Sequence, residues 1–142
     1  MTPSQVQLIR SSWSAVEPIA DQAATAFYAR LFELDPRIAP LFLHTDMAKQ
    51  HKVLMQTLTV VVKSLDKLDQ IVPAVRALGR RHAGYGVEAH HYATVGAALI
   101  WTLEQGLGAA FTAETREAWE TAYGTLASVM IAASQEADQA AA

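Results

Sequence analysis

The sequence predicts an all-α, single-domain protein of 142 residues, and three observations carry that prediction. Apolar residues recur at three- and four-residue steps over long stretches, as one buried face of a helix requires. No segment alternates apolar and polar residues as a half-buried strand would. Glycine (7) and proline (5) are few, so long helices go uninterrupted. A 51% hydrophobic share with 18% charged residues marks a compact globule long enough for one sizeable core.

Each element has its own justification. Thr2 is placed to cap a first helix, with Pro3 in the first turn and Gln5 completing a capping box. Its buried face is Val6, Ile9, Trp13 and Val16. Pro18 breaks or kinks the chain and opens a second helix through residue 34, with Ile19, Ala23, Phe27, Leu31 and Leu34 inward. Asp35-Pro36 restarts the chain as a short helical turn over residues 36–42, ended by the polar loop 43–46. A long helix follows over residues 47–64, with Met47, Leu54, Leu58, Val61 and Leu65 on one side. Residues 66–70 read as a connector, and Pro73 limits how far back the next helix is regular. That helix ends at Gly84 and Gly86, both suited to a left-handed turn. Two further helices, at 89–107 and 112–136, are separated by the break at 108–111, where Thr112 with Thr115 only loosely resembles a cap. The domain is therefore residues 1–136, with an Ala-rich tail, 137–142, expected to fray. No repeat or linker divides it.

Composition excludes several function classes. A net charge of −3 and unclustered basic residues give no electrostatic footprint for nucleic acid. The chain has no cysteine, which removes disulfides, thiolate nucleophiles and thiolate metal sites. Its richest apolar stretch, residues 93–103, is too short to cross a bilayer. The N-terminus lacks a signal-peptide layout, so a cytoplasmic location without membrane insertion is expected.

The most informative residue is His82. Over residues 68–82 the apolar positions Leu68, Ile71, Val75 and Leu78 form one helical stripe, and its next member is an imidazole. Burying that group unpaired costs about 1–3 kcal/mol, so it needs a metal, a hydroxyl or a backbone carbonyl. Position alone leaves these open. Other polar residues lie on or near buried stripes: Tyr28 beside Ala24 and Leu31; Gln50 and His51 on opposite shoulders of the Met47–Leu54–Leu58 stripe; Tyr92 at the head of Val95, Leu99 and Leu103; and Tyr123 one turn after Trp119. Each also has a structural explanation, a tyrosine hydroxyl tucked to a carbonyl or a polar group solvated at a helix start.

Taken in order, these features resemble a bacterial globin, closest to single-domain globins akin to the haem domain of flavohaemoglobins. The matching segments are Phe27-Tyr28, Leu31-Phe32, Asp35-Pro36, Leu41-Phe42, Leu54-Met55-Gln56, Gly79-Arg80-Arg81-His82, His91-Tyr92, Val95-Gly96 and Ala122-Tyr123-Gly124. They span nearly the whole chain.

The resemblance implies a three-over-three helical sandwich around a b-type haem, held without covalent attachment. His82 is then the proximal iron ligand, its other nitrogen hydrogen-bonded, with the Leu78 carbonyl as a candidate partner. Phe42 packs flat on the porphyrin, and Leu54, Leu58, Leu78, Val87, Val95 and Leu99 are wall candidates. Tyr92 matches a tyrosine that, with a last-helix glutamate, strengthens the proximal imidazole. Ser134 stands in the glutamate's place, with Glu136 two residues on, so peroxidase-like activation is not expected. Tyr28 and Gln50 match a distal pair of donors, suited to the negative charge that bound dioxygen acquires. His51 is the rival to Gln50, and turned inward it would close the sixth iron position.

The implied function is binding of O2, and of NO, CO or sulfide, at a five-coordinate ferrous iron with high oxygen affinity. Nitric oxide dioxygenation is the expected chemistry. The flavin and nicotinamide modules of flavohaemoglobins would not fit in 142 residues, so a separate reductase is implied. The alternatives are a non-catalytic oxygen store or ligand scavenger, and a haem-based sensor or interaction module.

Overall fold

Thr2 starts the first helix as its composition dictates: its hydroxyl accepts from the Gln5 backbone N–H, and the Gln5 side chain accepts from the Thr2 N–H. From there the computed structural model describes the backbone of residues 1–141 and side chains through Glu136. Six α-helices follow one another: α1 (Pro3–Val16), α2 (Ala20–Leu34), α3 (Met47–Lys63), α4 (Leu68–Gly84), α5 (Ala89–Leu107) and α6 (Ala113–Ala141). A 3-10 segment, Pro36–Phe42, lies between α2 and α3. The side chains of the tail 137–142, where fraying was expected, lie outside the described residues.

The helices form two layers of three. Helix α6 packs on α4, α1 and α5, while α2 packs on α5 and α3. Thus α1, α3 and α4 lie over α2, α5 and α6. Ile9, Leu31 and Leu103 are fully enclosed between the layers. Two indoles tie α1 to the rest. Trp119 Nε1 donates to Ser12 Oγ at 2.8 Å inside the core, and Trp13 Nε1 donates to Thr59 Oγ1 at 3.0 Å. Buried indole N–H groups demand such partners. Helices α4 and α6 approach so closely at Gly79 that a Cβ there would lie 2.5 Å from the Met130 carbonyl oxygen.

Several boundaries differ from the sequence expectation. Pro18 sits in a 3-10 turn, Glu17–Ile19, and α2 begins only at Ala20. The expected connector is mostly helical: Leu65–Lys67 forms a 3-10 turn and α4 starts at Leu68, with Pro73 inside it. A proline five residues into a helix removes one early N–H yet keeps a helical φ, so α4 continues through it. Leu34, expected inward, is 41% exposed at the last residue of α2, while Leu31 in the same turn is buried. Thr112 is a true cap, accepting from the Thr115 N–H at 3.2 Å. No described helix is long and apolar enough to cross a membrane.

Candidate functional site

Tyr28 lies at the centre of an aromatic cluster contributed by three segments. Helix α2 provides Tyr28 itself with Phe27 and Phe32, the 3-10 segment provides Phe42, and α3 provides His51. Phe42 meets the phenol edge-on at 5.6 Å, while the His51 imidazole stacks on it at 5.1 Å with 11° between the planes. Gln50 Nε2 donates to the Tyr28 hydroxyl oxygen at 3.0 Å. Both shoulders of α3 therefore face Tyr28, Gln50 through a hydrogen bond and His51 through its ring. Since Gln50 is the donor, the phenol's own O–H stays free to donate elsewhere. Burial raises the Tyr28 pKa above 10.0, keeping it a neutral donor.

On α4, His82 Nδ1 lies 2.8 Å from the Leu78 carbonyl oxygen. A carbonyl only accepts, so the ring proton is on Nδ1 and the Nε2 lone pair is unspent. Burial holds the His82 pKa below 6.5, which keeps the imidazole neutral at physiological pH. The apolar stripe beside it is unevenly covered. Val75 is buried against the rest of the protein, whereas Ile71, Leu78 and His82 are only half-buried. Helix α4 rests mainly on α6 and α3 rests on α1 and α2, so these consecutive helices each bury a different side.

The remaining expected residues fall as follows. Leu54, Leu58, Val87 and Val95 are half-buried, and Leu99 is buried. Tyr92 is buried, burial raises its pKa above 10.0, and its hydroxyl has no hydrogen-bond partner among the described residues. Ser134 does not reach it, since its hydroxyl donates to the Ile131 carbonyl one turn back. Glu136 pairs with Arg76 at the surface. Tyr123 donates to the Tyr92 carbonyl, the bonding expected of a helical core tyrosine. The stacking of His51 was not visible in the sequence, because helical periodicity fixes a shoulder and not a ring plane.

These residues fit a haem on three counts. A neutral imidazole with a free Nε2 has the tautomer that iron ligation requires. Apolar side chains left half-covered beside it suit a large apolar disc. A buried phenol without a partner awaits one.

Two helical layers, a neutral imidazole with a free nitrogen and a part-buried phenol–amide pair define an all-α protein whose residues suit a metal cofactor. The chain belongs to the globin family, whose model matches residues 25–130. It is 29% identical over 128 residues to a flavohemoprotein of Bacillus subtilis, covering 89% of this chain and 32% of that protein. It is 28% identical to a flavohemoprotein of Bacillus thuringiensis, covering 96% of this chain and 34% of that protein. The chain thus spans about a third of the length of these curated relatives. Among solved structures, a bacterial globin from Campylobacter jejuni matches with TM-score 0.84 at 25% identity, over 97% of this chain and 99% of that one. A carbene transferase engineered from a candidate nitric oxide dioxygenase of Rhodothermus marinus matches with TM-score 0.87 at 26% identity, over 99% of this chain and 97% of that one. Family membership implies haem and small gaseous ligands for this chain.

Proposed function

We propose that this chain binds haem b without covalent attachment, takes up O2 with high affinity and supports nitric oxide dioxygenation. The observation that carries the reading is the Gln50–Tyr28 hydrogen bond at 3.0 Å inside an aromatic box. Haem supplies a ferrous iron that takes a diatomic gas, and NO with O2 and one electron yields nitrate. His82 would hold the iron through Nε2, and its Nδ1–H bond to Leu78 fixes the ring tautomer. Ser134 bonds within its own helix, and among the described residues His82 Nδ1 pairs with the Leu78 carbonyl and with no carboxylate. Phe42, Leu54, Leu58, Leu78, Val87, Val95 and Leu99, with Tyr92, would line the cofactor and exclude water. Tyr28 would offer its free O–H to the bound gas, while Gln50 orients that hydroxyl and has a second N–H to offer.

Each such donor contributes roughly 0.5–1.5 kcal/mol net. Two would slow oxygen release about 5- to 150-fold, which favours a reactant held for chemistry over a cargo to be unloaded. The electron comes from a reductase outside these 142 residues. The name of the Rhodothermus neighbour supports the same chemistry. Rapid mixing of air-equilibrated ferrous protein with NO is expected to give one nitrate per haem within the mixing time. Slow or substoichiometric nitrate would overturn the dioxygenase reading and leave an oxygen store.

A further inference from the structure

A second group of metal-ligating side chains converges where the start of α5, just before Tyr92, meets the cap of the 3-10 segment. Asp35, which caps the 3-10 segment, and His90 and His91, in the first turn of α5, each offer a ligand atom within 4.8 Å of the other two. The packing of α2 on α5 brings these distant parts of the chain together.

Each group is prepared differently. The Asp35 side chain is only 11% exposed, and its Oδ1 accepts from the Arg37 backbone N–H at 3.1 Å and from Arg37 Nε at 3.2 Å. Those bonds hold its carboxyl below the usual carboxylate range and leave Oδ2 unbonded. His90 Nδ1 lies 3.3 Å from Glu88 Oε2. A carboxylate on Nδ1–H leaves Nε2 with its lone pair, the outer arrangement that metal-bound imidazoles use. His91 Nδ1 instead accepts from the Glu88 backbone N–H at 2.9 Å, as part of the α5 capping box.

We propose that Asp35, His90 and His91 form a site for a borderline divalent cation, with zinc as the best fit, bridging α5 to the start of the 3-10 segment. Two imidazoles and one carboxylate, with water in the fourth position, satisfy tetrahedral Zn2+. Calcium and magnesium prefer all-oxygen shells, so the two nitrogen donors select against them. The Glu88 carboxylate adds negative charge beside the site while ligating nothing itself. His91 imposes a condition: ligation through Nε2 moves its ring proton to Nδ1 and breaks the bond from the Glu88 N–H. Cation binding therefore exchanges one helix-cap bond for a cross-link across the fold. The site does not depend on the haem reading.

Titration calorimetry of the full haem-loaded chain with ZnCl2 tests it. The expected result is one Zn2+ per chain, bound in the micromolar range, accompanied by a rise in Tm. His90→Ala, exposed enough to leave folding intact, should abolish both. Glu88→Gln keeps all three ligands and should weaken binding about 10- to 100-fold. Zinc absorption fine structure should show nitrogen and oxygen neighbours with the outer scattering of two imidazoles. Binding no tighter than millimolar, or binding unchanged in a His90→Ala/His91→Ala double variant, would overturn the site. Loss of affinity in exposed His44→Ala would overturn it too.

Discussion

Tyr28 performs two separable tasks, packing and hydrogen bonding, and a phenylalanine would keep only the first. Its ring is held by Phe27, Phe32, Phe42 and the His51 stack, none of which needs the hydroxyl. In the proposed haem-loaded protein, Tyr28→Phe should therefore leave the fold and haem content intact. Oxygen release, followed by stopped-flow displacement from ferrous protein, should accelerate roughly 2- to 12-fold for one lost bond of 0.5–1.5 kcal/mol. An unchanged rate would move the donor role to Gln50 or His51. The same phenols set an alkaline limit. Tyr28, Tyr92 and Tyr123 all have pKa values raised above 10.0 by burial. Above that pH the unfolded chain loses protons that the native protein keeps, so native stability is fully present below about pH 10 and falls as pH rises. The urea midpoint should drop progressively above about pH 10, and Tyr92→Phe should flatten the decline. That variant also removes a buried hydroxyl without a partner, so haem-free protein carrying it should gain about 1 kcal/mol near neutral pH.

At the scale of elements, two glycines in long helices make opposite predictions. A Cβ at Gly79 would meet Met130 backbone atoms at 2.5–3.0 Å, which no rotamer change can relieve. Gly79→Ala must push α4 off α6 and should destabilise by about 1–3 kcal/mol. A Cβ at Gly124 meets nothing within 4 Å, so Gly124→Ala should stabilise by about 0.5–1 kcal/mol through helix propensity. Urea denaturation of the two variants checks both signs, and a loss in Gly124→Ala would overturn the second. The helices themselves were legible because each carries a buried stripe with a cap or break at its ends: the Thr2 box, Asp35-Pro36 and the Gly108 turn at φ 55°. Pro73 misled because a proline near a helix start removes too little bonding to stop it. The site was legible in its residues and illegible in its geometry. Periodicity put Gln50 and His51 on opposite shoulders, and only the crossing of α3 over α2 brings both to Tyr28. Asp35, His90 and His91 were unreadable as a group because their proximity depends on the α2–α5 packing.

The whole molecule divides its core unevenly between its two ends. The Trp13–Trp119 side, with Ile9, Leu31 and Leu103, is closed by side chains alone. At the other end, α4 gives α6 the side carrying Gly79 and Val75 and leaves Ile71, Leu78 and His82 half-covered. Local stability follows local burial, so in haem-free protein α4 should open more readily than α1 or α6. A group that binds only the native state lowers the population of every opening that exposes its site, by an amount set by its concentration over its Kd. Haem added to haem-free protein should therefore slow amide exchange most in α4 and in α3 around Leu54 and Leu58, and least in α1. Hydrogen–deuterium exchange with and without one equivalent of haem measures this, with His82→Ala as the control that removes the ligand and retains the apolar stripe. Uniform protection across all six helices would mean that the fold opens only as a unit. Protection confined to α2 and α5 would place the cofactor elsewhere and remove His82 from its proposed role.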